Sequence, residues 1–200
     1  MIALIQTAEE RDADFGSFLR LAVVTGARRG EVCAVRWQNV DFQSGTISIS
    51  RSIVDGSNDQ LIEKDTKTHS SRQVVLDDGT LAVLASRRAA AEERAADCGV
   101  ELLDGAFMFS DSPDGRQPWR PGRVTLAFGR LCQQKGATGV RLHDLRHFAA
   151  STLLGAGVPV KTVSGRLGHA NAATTLNVYA HFLESSDAEA AKVLGGLLRR

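Results

Sequence analysis

The sequence predicts a mostly helical α+β domain with a small three-stranded antiparallel sheet. Three observations carry that prediction. Apolar residues recur at helical spacing over most of the chain, the spacing gives way to alternation only between residues 46 and 76, and Gly155, Gly157, Pro159 and Gly168 punctuate the last stretches. At 200 residues, 43% hydrophobic and 24% charged, the chain suits one domain with a buried core.

The elements follow in order. Phe15, Phe18, Leu19, Ala22 and Val23 lie at i, i+3, i+4, i+7 and i+8, so a helix runs from about residue 11 to Val24 and stops at Gly26. The preceding "MIALIQTAEERD" is too short and wrongly flanked for a signal peptide, and no run approaches the ~18 apolar residues of a membrane span. The chain therefore reads as soluble and cytoplasmic. "GEVCAVRW" makes a second, short helix. Between 46 and 76, "TISISRSIV" alternates, "DGSND" turns, and "QLIEKDTK" and "RQVVL" complete three strands, with Lys67 near the second turn, "KTHSS". A long helix over 78–97 leads into the apolar "AFMFS" and a loop at 112–122. Helices are then expected at about 122–135, 142–155, 159–167, 172–182 and 185–198. No repeat, linker or low-complexity tract interrupts them.

Charge is unevenly placed although it sums to only +1. Residues 116–166 hold nine basic residues against Asp144 alone, whereas 92–114 hold seven acids against Arg94. A nucleic-acid face with a solvated back would give that asymmetry; so would scattered surface charge. Cys33, Cys98 and Cys132 are odd in number and far apart, which suggests neither disulfides nor a zinc site, and they read as small buried apolar residues.

The stretch "RLHDLRHFAAST" concentrates chemistry. On a helix, Leu142, Leu145, Ala149 and Leu153 form a buried stripe, and His143, Arg146 and His147 share the opposite arc. "HDLRH" is a near relative of the zinc-binding HExxH, but Asp144 is a methylene shorter than the required Glu, and Arg146 would set a fixed cation beside a dication. No metal is expected. A phosphate clamp and a plain solvated face both remain open. "TGARRGEV" sets Arg28 and Arg29 between Gly26 and Gly30 at the mouth of a helix, where free backbone N–H groups favour anions. "RLGHANAATTLNVYAH" supplies His169 and, ten residues on, Tyr179, the single tyrosine of the chain.

Taken in order, "TGARRGEVCAVRW", "KTHSSRQVVL", "HDLRHFAASTLLGAGV" and "LGHANAATTLNVYAHF" resemble the boxes of the tyrosine recombinases of the phage-integrase family, over roughly residues 20–183. The resemblance implies a site-specific recombinase that cleaves and rejoins double-stranded DNA through a 3′-phosphotyrosine, without cofactor or metal, as a tetramer assembled on DNA, in the cytoplasm at the nucleoid. It implies Tyr179 as nucleophile, His143 as its proton acceptor, Lys67 as general acid, His169 as a donor to the phosphate, and Arg28 and Arg146 as its clamp.

These residue types suit that chemistry. Guanidinium forks bind phosphate bidentately and stay charged, so they stabilise the charge that gathers on non-bridging oxygens. A phenol with a pKa of about 10 needs cations and a base to become a nucleophile, and the 5′ alkoxide needs a proton. Glu31 is expected to hold the arginine loop, and Asp144 and His147 to orient their helix. The resemblance further implies a catalytic domain over 1–183 and a tail helix over 184–200 that packs on a neighbouring protomer or on its own domain. Family members usually also carry an N-terminal DNA-clamping domain, and here the sequence departs from the pattern, because that domain is expected to be absent. Two rivals stand. "VPVKTVSGRLGHANAATTLNVYA" also reads as a helix-turn-helix DNA-binding module, and a type IB topoisomerase shares the Arg/Lys/Arg/His/Tyr chemistry.

Overall fold

The structure is a computed structural model, and it describes residues 1–57, 60–66, 71–169, 171, 173 and 175–176. The first apolar stretch forms two helices, α1 (Ile2–Arg11) and α2 (Ala13–Thr25), where one was expected. Asp12 separates them. Its backbone is extended (φ −150°) and its carboxylate accepts from the Phe15 amide at 3.0 Å, capping α2. Leu4 and Ala8, four residues apart, bury α1 against the core.

Gly26 ends α2 in the left-handed conformation (φ +61°), and a Cβ there would overlap the Leu167 side chain. Only glycine meets both demands. The short α3 (Arg29–Cys33) follows, then a single 3₁₀ turn over Trp37–Asn39.

Among the described residues five strands form where three were expected: β1 (Val40–Asp41), β2 (Thr46–Ile49), β3 (Arg51–Asp55), β4 (Leu61–Asp65) and β5 (Arg72–Val75). They make a three-stranded antiparallel sheet in the order β1-β2-β5 and a separate β3-β4 hairpin. "TISISRSIV" is thus divided at Ser50 between two sheets, and the reason is its side-chain parity. Ile47, Ile49 and Ile53 share one parity and all are buried, but Arg51 falls among them. The chain breaks so that Arg51 reaches solvent, paired with Asp65 at 2.9 Å, before Ile53 returns to the core. β5 then lies beside β2, with Val74 opposite Ile47.

Helix α4 (Asp78–Asp97) starts at Asp77, which accepts from the Thr80 amide. Cys98 caps its far end and is exposed, unlike the buried Cys33 and Cys132, so the expectation of three buried thiols holds for two. "AFMFS" runs through the core as irregular chain, and Phe109 meets Phe18 edge-on (5.0 Å between centroids) with Trp119 at 5.4 Å. Helices α5 (Pro121–Gln134), α6 (Asp144–Gly155) and α7 (Val160–Leu167) match their expected spans. Of the expected 172–182 helix, Ala173, Thr175 and Leu176 are helical; its remainder and the whole of 185–198 lie outside the described residues.

Part of the basic tract is paired or turned inward among the described residues, while Arg130, Lys135 and Lys161 are exposed. Arg116, Arg123 and Arg141 pair with Asp114, Asp111 and Asp144. Arg146 and Arg166 turn inward to backbone carbonyls. No helix among the described residues is long and apolar enough to cross a membrane.

Candidate active site

Helix α3 places the first cation. Arg28 precedes it, and Gly30 lets it approach β3 so closely that a Cβ would overlap the Ile53 carbonyl. Glu31, 1% exposed, fixes the loop: its carboxylate accepts from the Arg28 amide (2.9 Å) and from Arg28 Nη1 (2.8 Å). Arg72 Nη2 reaches the same carboxylate at 2.7 Å from β5. Burial alone would raise the Glu31 pKa, but the hydrogen bonds and charge of Arg72, with those of Arg28, hold it below the usual carboxylate value. Glu31 is therefore an anion that leaves part of the Arg28 guanidinium uncommitted.

Helix α6 places the second. Of the expected buried stripe, Leu145 and Ala149 on the helix and Leu142 just before it are buried, but Leu153 is only partly so; Ala150 and Leu154 are buried as well, in a second cluster with Val163 and Leu167 of α7. The helix is clasped between α2 and α7, and Arg146 falls on the seam. Arg146 is consequently 4% exposed, not on a solvated arc beside His143 and His147. Nη1 donates to the carbonyls of Gly26 (2.5 Å) and Leu167 (2.6 Å), tying the ends of α2 and α7 together. Nη2 is buried with no hydrogen-bond partner among the described residues. Burial, then repulsion from Arg28, offset in part by Glu31, brings the Arg146 pKa down to about 10, so it remains a cation at neutral pH.

Arg28, Arg29, His143 and Arg146 line one cavity of about 570 Å³, floored by Phe18, Ala22 and Leu142 and bordered by Asp55. His143 meets His147 edge-on, 4.8 Å between ring centroids. Burial, with repulsion from His147 and Arg146, lowers its pKa, so it is a neutral base at pH 7. Asp144 is committed to the start of α6, accepting from the Arg141 amide at 2.8 Å. Among the described residues no three of His, Cys, Asp and Glu gather as metal ligands would.

His169 follows the left-handed Gly168 at the end of α7, and its Nδ1 lies 2.8 Å from the Thr175 hydroxyl. Burial first, then the fields of Arg146, Arg28 and Arg72, lower its pKa to about 4. The fold thus brings Arg28, His143, Arg146 and His169 into one electrostatic neighbourhood. Lys67 and Tyr179 lie outside the described residues. Arg72 and Arg166 were not singled out in the sequence. Arg72 carried a signal all the same: it shares strand parity with the buried Val74, where a charged residue must have a partner.

Residues 1–185 match the phage integrase family. The chain belongs to that family. It is 30% identical to the ICEBs1 integrase of Bacillus subtilis over 92% of this chain and 49% of that protein. It is 27% identical to a tyrosine recombinase XerC-like protein of Caldanaerobacter subterraneus subsp. tengcongensis, over 88% of this chain and 48% of that protein. This phage integrase family member thus spans about half the length of the curated relatives it matches. Its fold is that of the Tn1549 transposon integrase solved in complex with a circular intermediate DNA (TM-score 0.78, 20% identity, 95% of this chain and 62% of that chain). The lambda integrase catalytic core is also similar (TM-score 0.58, 19% identity), over 84% of this chain and 86% of that chain.

Proposed function

We propose that the chain is the strand-cleaving part of a site-specific DNA recombinase. The observation that carries this reading is the buried Nη2 of Arg146, a fixed cation's N–H with no acceptor among the described residues, in a cavity that Arg28 and His143 also line. A buried donor without an acceptor is costly, and a non-bridging phosphodiester oxygen would satisfy it. Tyr179 attacks phosphorus while neutral His143 takes its proton. The P–O5′ bond breaks, Lys67 protonates the leaving 5′ oxygen, and a 3′-phosphotyrosine holds the strand. A free 5′-hydroxyl attacking that ester returns Tyr179, so rejoining needs no nucleotide. His169 adds a third donor: when the Thr175 hydroxyl donates to Nδ1, the ring proton sits on Nε2.

Residues 1–183 are the catalytic unit in this reading, and 184–200 the tail through which protomers associate as a tetramer on double-stranded DNA, in the cytoplasm at the nucleoid. The test is covalent trapping. The protein is incubated with a pool of nicked duplexes, randomised around the nick, that lose a short fragment on cleavage, with chelator present. An SDS-resistant adduct that disappears in Tyr179→Phe is expected. Tight binding without any adduct would favour the helix-turn-helix module instead, and an adduct that survives in Tyr179→Phe would remove the nucleophile assignment.

A further inference from the structure

We infer that Arg72 is a positioning residue for this reaction: by bonding Glu31 and the Arg166 carbonyl together, it fixes Arg28 and His169 relative to one another. The inference rests on the function proposed above. Arg72 opens β5, the strand into which the Lys67 segment leads, and its side chain is 8% exposed. Its Nη2 donates to Glu31 Oε2 at 2.7 Å and its Nε to the Arg166 carbonyl at 2.9 Å. The first bond reaches Arg28, since the Glu31 carboxylate holds the Arg28 amide and Nη1. The second reaches His169, because Arg166 lies in the last turn of α7, just before the Gly168 bend.

That bend is built around the same guanidinium. Gly168 sits at φ +70°, and a Cβ there would come within 2.8 Å of Arg72 Nη1. Arg166 closes the arrangement from the other side, donating from Nε to the Val24 carbonyl (2.9 Å) and from Nη2 to the Val75 carbonyl (3.0 Å). Elements β5, α3 and α7 are therefore keyed to one planar fork. A lysine presents a point charge on a flexible stem and does not hold both acceptors in that geometry.

Charge gives the role a specific signature. Glu31 divides its carboxylate between Arg72 and Arg28. Without Arg72 the anion draws more of the Arg28 donors to itself and away from phosphate. Losing Arg72 and losing Glu31 then damage the same thing, the set of Arg28, so their effects do not multiply.

The experiment uses the whole chain and a duplex recovered from the trapping pool. Single-turnover adduct formation is followed against DNA concentration for wild type, Arg72→Gln, Arg72→Lys, Glu31→Gln and the Arg72→Gln/Glu31→Gln double variant, with thermal unfolding alongside. Misplacement of about 1 Å costs on the order of 10²-fold. The saturated rate of Arg72→Gln is expected to fall by about that factor, with the half-saturating DNA concentration unchanged; Arg72→Lys is expected to lose roughly 10-fold. The double variant is expected to be no slower than the slower single. A saturated rate within threefold of wild type, or losses that multiply in the double variant, overturns the inference. Should Arg72→Gln not unfold cooperatively, Arg72→Lys alone decides by the same rate criterion. A normal Tyr179-dependent adduct with indifferent Arg72 variants defeats this inference only, whereas absence of any wild-type adduct defeats the proposed function and this inference with it.

Discussion

Two arginines are buried to nearly the same depth in this protein, and they are held differently. Arg87 of α4 is 6% exposed and Arg146 of α6 is 4% exposed, and burial brings the pKa of each down to about 10. Arg87 has a counter-ion in contact: Nη1 meets the Asp14 carboxylate, Nη2 donates to the Met108 carbonyl at 2.7 Å, and the guanidinium lies over the Phe109 ring at 4.9 Å. Arg146 has carbonyls instead, from Gly26 and Leu167, and it borders a cavity. A buried cation with a carboxylate in contact is costly to remove, because its partner is left less compensated. One held by carbonyls alone keeps its charge available for an anion from outside.

That contrast predicts opposite mutational profiles. Removing Arg146 deletes a buried cation with no carboxylate on it among the described residues, so the desolvation relieved offsets the lost carbonyl bonds, and Arg146→Ala should cost no more than about 1 kcal/mol of stability. Its adduct-forming rate should fall by about 10²- to 10³-fold, as expected for a donor aimed at transition-state charge. Urea denaturation and the trapping assay measure the two sides. Cleavage at the wild-type rate in Arg146→Ala would end the comparison and the site assignment together.

Arg87→Met should do the reverse. It takes one of two cations from the Asp14 carboxylate, which Arg94 still reaches at 3.3 Å and which is 31% exposed, and it empties a place beside Phe109. A loss of about 2 kcal/mol is expected, read as a lowered denaturation midpoint, with the adduct rate unchanged where the protein is folded. Equal rate losses in the two variants would mean that burial alone, not the absence of a carboxylate, had marked Arg146.

The same two arginines show what was legible in the sequence. Helical spacing located α2 and α4–α7 because their buried residues recur on one face, and the four motifs named the family. Arg146 was found as a residue but not as a buried one. The sequence pattern shows one apolar stripe on α6, and nothing local announces that α7 will cover Ala150 and Leu154 on a second face. Arg72 and the division of "TISISRSIV" at Ser50 were missed for a related reason. Both depend on which strand lies beside which, a non-local pairing that alternation does not encode. Arg51 and Arg72 each interrupt an apolar parity. One leaves for solvent and the other finds Glu31, and only the tertiary fold decides between them.

The smallest expected effect sharpens the comparison through a third residue. His169 has its pKa lowered to about 4 from the ordinary 6.5, by burial and then by Arg146, Arg28 and Arg72. The unfolded chain therefore takes up the proton first on acidification. Stability from this group is fully present above about pH 6.5 and is lost as pH falls towards 4. Glu31, held below its usual 4.5, weakens the fold only under more acid conditions, so the window belongs to His169 together with His143, which is shifted the same way. Arg146→Ala removes the largest cationic neighbour of His169. It should raise the His169 pKa and reduce the difference in urea midpoint between pH 7 and pH 5, whereas Arg87→Met should leave that difference as it was. An anion bound among these cations offsets the same repulsion, so duplex binding should take up protons between about pH 4 and 6.5 and tighten as pH falls through that range. Imidazole proton shifts followed by NMR give the titration directly. A His169 that titrates near 6.5 in the free protein, or one that ignores Arg146→Ala, would show that the fields of these guanidinia do not converge on it and that the cations do not act as one site.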